Sequence, residues 1–345
     1  MNKEFFYELL DTMSVSGHEI PLQKKVIAEM TPYCHDIRTD CTGNVICVLN
    51  PDASCKVLLA GHADEIGLIV THIQSDGLLR VSKAGGIYPA VYPGHQVVIH
   101  GENGPVYGVV NNHHGLVKDG LKAADLYIDI GAKDEADARL CVEEGDPVTL
   151  HTYHQEMRNG CLSARGIDDR GGVFIVMEAL KRAKELGCTV GVYAASTVGE
   201  ETTGRGASWA ANSVRANAAI VVDVTYATDV PGAKPEESGN VKLGNGPVIC
   251  NSSLCSKKLN KLLKTCGKDH DIPWQVESFI GRTCTDGDTI HLAGTGTTTA
   301  LISLPLRYMH NPAEMCSLQD VENAIELLAR FLCAMGDDVD LDPFH

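Results

Sequence analysis

Several short stretches of this chain carry residues that suit catalysis by metal ions. His62 with Asp64, Asp168 with Asp169, Glu200 with Glu201, Asp223, and His310 each stand at or near the end of a run rich in apolar, β-forming residues. Imidazoles together with several carboxylates form a ligand set for borderline divalent ions such as zinc, cobalt or manganese. This set is large enough to serve two ions that share a bridging carboxylate, an arrangement suited to hydrolysis. A spare carboxylate beside such a cluster can act as general base. Asp64, two residues beyond His62, is placed to orient its imidazole. Each member has a plainer reading as well. Glu200-Glu201 after a strand is compatible with a solvated loop, and Asp168-Asp169 before a helix with an N-terminal cap favoured by the helix dipole.

These residues depend on the elements that carry them. Lys56–Ala60, the run ending at Ala194-Ala195-Ser196-Thr197, Ala218–Val222 and Thr298–Leu304 read as buried strands. In a mostly parallel sheet their carboxyl ends lie along one edge, so residues distant in sequence can converge there. Helical spacing of apolar residues marks 3–12 and 19–30, the stretch after Gly172, 207–216, 256–264 and 318–333, and further short strands fall at 36–39, 44–49 and 274–277. Polar, Gly- and Pro-rich loops are expected at 228–247 and 281–287.

Between Val70 and Thr152 the character changes. Gly and β-branched residues are dense, turn signals recur, and no long helical period is present. This reads as a small antiparallel barrel or sandwich inserted into a larger α/β domain. The expected division is a catalytic part over 1–69, an inserted assembly domain over 70–155, and the rest of the catalytic domain over 156–345.

Composition excludes several classes. With 29 Lys and Arg against 45 Asp and Glu, the formal charge of −16 argues against a nucleic-acid partner. No apolar run is long enough to span a bilayer and the N-terminus lacks a secretory pattern, so a cytoplasmic protein without a membrane partner is expected. The 13 cysteines are scattered without a C-x-x-C motif and read as reduced thiols. Cys284, in a polar Gly-rich stretch, is the one whose surroundings suggest exposure. A nucleophilic role there would need an activating neighbour, and no His stands beside it.

The stretches Gly61-His62-Ala63-Asp64-Glu65-Ile66-Gly67, Gly166-Ile167-Asp168-Asp169-Arg170, Gly199-Glu200-Glu201, Val222-Asp223-Val224-Thr225 and Arg307-Tyr308-Met309-His310-Asn311-Pro312 resemble the signature blocks of one peptidase family. It is the dinuclear-metal family of glutamyl, deblocking and tetrahedral (TET) aminopeptidases, some members of which carry an endoglucanase label. Leu126-Tyr127-Ile128-Asp129-Ile130-Gly131 resembles a block inside the insertion. The resemblance implies a three-layer α/β/α metallopeptidase domain interrupted by a small β-barrel that mediates homo-oligomeric assembly, as dimers or a dodecamer. It implies that His62, Asp168 and Asp223 bind one ion and Asp168, Glu201 and His310 the other. Glu200 would be the general base, Asp64 the orienter of His62, and the Asp168–Asp169 bond cis. Gly199, the glycine positions after Glu201, Cys284 and Asn311 depart from the usual pattern without removing a ligand.

The expected activity is metal-dependent removal of N-terminal residues from short peptides. The same site could act on another amide, such as an N-acyl amino acid, or on a glycoside, although the glycosidase version needs two free carboxylates. A non-catalytic assembly subunit with the same fold is a further alternative, against which stands the complete set of candidate ligands. The preferred N-terminal residue and the native metal are not legible in the sequence.

Overall fold

A computed structural model describes residues 1–113 and 120–345. Its frame is an eight-stranded sheet in the order Asp36–Thr39, Val45–Leu49, Gly191–Thr197, Lys56–His62, Ala218–Tyr226, Thr298–Leu306, Val248–Asn251 and Gln275–Ser278. The strands from Gly191–Thr197 to Thr298–Leu306 run parallel, with Ala195 opposite Ala60, Ala60 opposite Val221, and Asp223 opposite Ser303. Their near-continuous apolar character follows from burial on both faces, as a parallel sheet requires.

Alternation along each strand sorts side chains between two helical layers. Val57, Leu59, Ile220, Val222 and Ile302 pack with helices Lys3–Asp11, Ile20–Met30, Ile167–Glu185, Lys257–Asp269 and Leu318–Ala334. Leu58, Ala60, Ala219, Val221 and Leu301 pack on the opposite face with helix Arg205–Val214 and the short helix Gly287–Ile290. The result is a three-layer α/β/α unit.

The Gly-rich region forms a closed barrel rather than a sandwich. Strands Gly67–Ile73, Leu79–Ala84, Tyr127–Asp129, Gly104–Val110, Gln96–Gly101 and Pro147–Leu150 pair in that order, and the first and last close on each other. Closure removes exposed edges and encloses a separate apolar core that includes Leu68, Val97, Ile99, Ile128 and Val148.

Some elements differ from the sequence expectation. Helix Lys257–Asp269 continues past Lys264 through Gly267, an ordinary reason to end a helix. Glycine is needed there because a Cβ would lie 2.6 Å from the Trp274 ring. Strand Val248–Asn251 was hidden between Gly-rich loops by its shortness, and a three-stranded sheet of Gln155–Glu156, Cys161–Ala164 and Glu314–Ser317 adds a further platform. No helix among the described residues is long and apolar enough to cross a membrane.

Candidate metal centre

His62 ends the strand Lys56–His62 and Asp223 lies near the end of its neighbour, both at the carboxyl edge of the sheet. Asp168 arrives differently, from the start of the helix packed behind that edge. Close approach of helix and strand brings it in: a Cβ on Gly61 would lie 2.6 Å from the Gly172 backbone, so only glycine fits. The first turn of this helix is not helical at Asp168 and Asp169, and the bond between them is cis. The two carboxylates have different partners. Asp169 is the cap, accepting hydrogen bonds from Gly172 N–H at 3.0 Å and His62 N–H at 3.1 Å. Asp168 faces the cluster.

Two imidazoles flank Asp168. His62 Nε2 lies 3.2 Å from one carboxylate oxygen and His310 Nε2 3.1 Å from the other. In both rings the far nitrogen is held by a backbone carbonyl: His62 Nδ1 by Asp64 O at 3.0 Å, and His310 Nδ1 by Gly86 O at 3.0 Å. Donation from Nδ1 to a carbonyl leaves Nε2 as the coordinating atom, the usual support of a metal-bound imidazole. Glu201 Oε1 lies 3.6 Å from His310 Nε2, and Glu200 Oε2 3.8 Å from His62 Nε2. Ligand atoms of His62, Asp168 and Asp223 lie within 4.8 Å of one another, as do those of Asp168, Glu201 and His310. His62, Glu200 and Glu201 meet the same test. The structure thus brings all the candidate residues together.

Electrostatics agree with this donor set. Burial, then repulsion from Asp169 and Asp168, drives the Asp223 carboxyl well above its ordinary range. Burial and Asp168 do the same to Glu201, and burial lifts Glu200 to about 7 despite the opposing His62. Burial would also raise Asp168, but hydrogen bonds from His310 and His62 hold it below its usual value. Burial works against a charged His310, yet its bond to Asp168 pushes it up to about 9. Crowded, buried carboxylates with no Lys or Arg among them are stabilised by bound cations. Two imidazoles and shared carboxylates fit a pair of divalent ions.

Other residues build the scaffold around this set. Asp64 accepts backbone hydrogen bonds from Glu200 at 3.0 Å and Glu201 at 3.1 Å, so it fixes the Glu-Glu turn as well as standing beside His62. Glu314 accepts from His310 N–H at 2.8 Å and Asp168 N–H at 3.1 Å, joining two candidate ligands through one carboxylate. Asp286 accepts from the Thr197 hydroxyl while its other oxygen is buried without a partner, and burial lifts its pKa to about 6. Arg170, fully buried, donates to Thr12 O, Gly166 O and Glu65, tying the first helix to the base of the site. Of these, Asp64 was singled out from the sequence; for the others the closest signal is that Glu65 and Arg170 sit inside signature stretches and Glu314 lies two residues beyond one. Cys284 is exposed and lines the same cleft, a space of about 660 Å³ that also includes Tyr226, Glu277 and Phe279.

A three-layer α/β/α sheet with an inserted barrel and a buried His/Asp/Glu cluster at its carboxyl edge defines a dinuclear-metal aminopeptidase site. Residues 43–327 match the sequence model of the M42 glutamyl aminopeptidase family, and the chain belongs to that family. A putative aminopeptidase of Acetivibrio thermocellus is 34% identical over 340 residues, spanning 96% of this chain and 100% of that protein. The crystal structure of a TET aminopeptidase from a marine-sediment Thaumarchaeota archaeon superposes with a TM-score of 0.92 at 31% identity, covering 98% of this chain and 97% of that one. The Pyrococcus horikoshii TET1 peptidase, described as assembling into a tetrahedron or a large octahedral shell, gives 0.86 at 29% identity, over 96% and 99% of the two chains. The protein is a metal-dependent hydrolase of the aminopeptidase class.

Proposed function

We propose that this chain removes N-terminal residues from short peptides with the roles divided as follows. His62, Asp168 and Asp223 hold one divalent ion, Asp168, Glu201 and His310 hold the other, and Asp168 is shared. The observation that carries this is the pair of ligand groups meeting at Asp168, with both imidazoles turned to it by backbone carbonyls. When bound, the ions polarise the scissile carbonyl and make water a nucleophile near neutral pH. Zinc or cobalt suits the donors best, and manganese is compatible.

Glu200 is the proton carrier. Its backbone N–H is held by Asp64 and its carboxylate reaches toward His62, so it faces the cleft from a fixed turn. It takes a proton from the attacking water at a carboxylate oxygen and returns it to the departing amine. Asp64 positions both His62 and the Glu200-Glu201 turn.

The barrel over 70–155 is proposed as the assembly unit between catalytic parts 1–69 and 156–345. A homo-oligomer, as dimers or a closed dodecamer, is supported by likeness to the TET1 peptidase that forms shells. A cytoplasmic location accords with the composition and the cysteine usage. The test is hydrolysis of aminoacyl-p-nitroanilides with zinc or cobalt, before and after chelation. Loss of turnover on chelation and its return with metal are expected. Metal-independent cleavage, or cleavage only of N-acyl amino acids, would contradict the reading.

A further inference from the structure

The wall of the cleft contains a carboxylate that the hydrolytic reaction does not use. Glu277, on the edge strand Gln275–Ser278, is only 5% exposed yet lines the same space as His62, Asp223 and His310. Its oxygens accept hydrogen bonds from the Thr225 hydroxyl at 2.6 Å and the Ser303 hydroxyl at 3.3 Å. Among the described residues, no Lys, Arg or His forms an ion pair with it. A carboxylate has about four acceptor positions, so two hydroxyls leave acceptor capacity on a residue that lines the cleft. Burial raises its pKa, and only the hydroxyl bonds oppose that rise.

Its placement relative to the centre is fixed by register. Thr225 follows Asp223 by two residues on one strand and so faces the same side, while Ser303 stands opposite Asp223 on the next strand. Two residues along a strand span about 6–7 Å. An extended lysine side chain carries its ammonium about 6 Å from its Cα. A substrate whose N-terminal residue is held at the metal centre can therefore deliver an ammonium or guanidinium to Glu277.

We infer that Glu277 is a specificity-determining residue and that the enzyme prefers peptides with a basic N-terminal residue, lysine or arginine. This rests on the aminopeptidase reading of the site. The other charged residue near this wall does not favour the opposite choice. Arg282 is held at the rim by Asp288, at 3.1 Å, with its side chain 84% exposed. An acidic substrate side chain would meet a buried carboxylate instead, and an apolar one would leave that carboxylate without a cation.

The experiment compares metal-loaded enzyme on p-nitroanilides of lysine, arginine, norleucine and glutamate. Norleucine keeps the carbon stem of lysine and lacks its ammonium. We expect kcat/KM for lysine to exceed norleucine by about tenfold or more, with glutamate lowest. In Glu277→Gln the lysine-to-norleucine ratio should fall by about tenfold, chiefly through KM for lysine. A merely structural role would lower both substrates together. A wild-type ratio at or below one overturns the inference without any variant, and so does a ratio unchanged in Glu277→Gln. Absence of turnover on every substrate would instead overturn the peptide-substrate reading on which the inference rests, and the inference with it.

Discussion

The barrel and the open edge of the central sheet treat burial in opposite ways. The barrel closes on itself and fills its interior with Leu68, Val97, Ile99, Ile128 and Val148, all without exposure. Each apolar side chain buried there contributes about 1.5–3 kcal/mol without needing a partner of opposite charge. The sheet edge instead buries Asp168, Asp223 and His62 beside Glu200 and Glu201. Such a set is stabilised by charges brought from outside. One region is built to hold together, the other to hold something. The loop after strand Leu79–Ala84 brings them into contact: Gly86 accepts the His310 Nδ1 hydrogen bond, and a Cβ on Gly85 would lie 3.2 Å from Glu201. The insertion therefore takes part in shaping the site it interrupts.

This contrast predicts that activity and stability separate. The largest effect should come from Glu200→Gln, which removes the proposed proton carrier but none of the proposed ligands. Turnover should drop about 10²–10⁴-fold while metal content and melting temperature stay near wild type. Unchanged turnover would remove Glu200 from this role. Ile99→Ala should do the reverse. It opens a cavity in the barrel core and should destabilise by about 2–5 kcal/mol in denaturant titrations, with metal content of the folded protein retained.

Gly86→Ala tests the junction. The new methyl would stand 3.1 Å from His310 Cε1, so the ring must shift away from its carbonyl partner. Metal affinity or activity should fall about 10–100-fold, as for lost support of a metal-bound imidazole. If both are unaffected, the barrel loop does not set the His310 ring. The smallest effect is a pH dependence within the barrel. His100 Nε2 lies 2.8 Å from the Thr149 hydroxyl, and burial, then the nearby Arg165, lowers its pKa to about 4. The unfolded chain, with a His pKa of about 6.5, takes up the proton first. This contribution to stability is complete above about pH 6.5 and is lost as pH falls toward 4. Thermal melts between pH 7.5 and 4.5 should show that loss, and His100→Gln should flatten it.

What could be read in the sequence follows the reach of each signal. His62 and Asp223 were legible because each ends an apolar run, and the parallel register then brings such ends together. Glu201 and His310 were legible in the same way, and the resemblance of the surrounding stretches added which ion each would hold. By residue type alone Asp168 reads equally as a cap or a ligand, because both uses want an acid before a helix, and only the resemblance implies the ligand. Backbone geometry resolves it by giving the cap to Asp169. Glu314 and Gly86 were illegible for another reason. Glu314 acts through two backbone N–H groups, one of them 146 positions away in sequence, and Gly86 acts through its own carbonyl, so neither leaves a pattern in residue type. The barrel was recognisable by its Gly-rich β pattern, but its closure depends on Leu68 pairing with Val148 across the whole insertion.

Both ions are proposed to share Asp168, and metal stoichiometry measures that directly. Elemental analysis of purified Asp168→Asn, alongside wild type and His310→Ala, is the deciding measurement. The wild type should hold two ions per subunit, His310→Ala should keep the ion bound by His62 and Asp223, and Asp168→Asn should weaken both positions together. An Asp168→Asn protein that still holds two ions at wild-type affinity would contradict the shared-ligand centre.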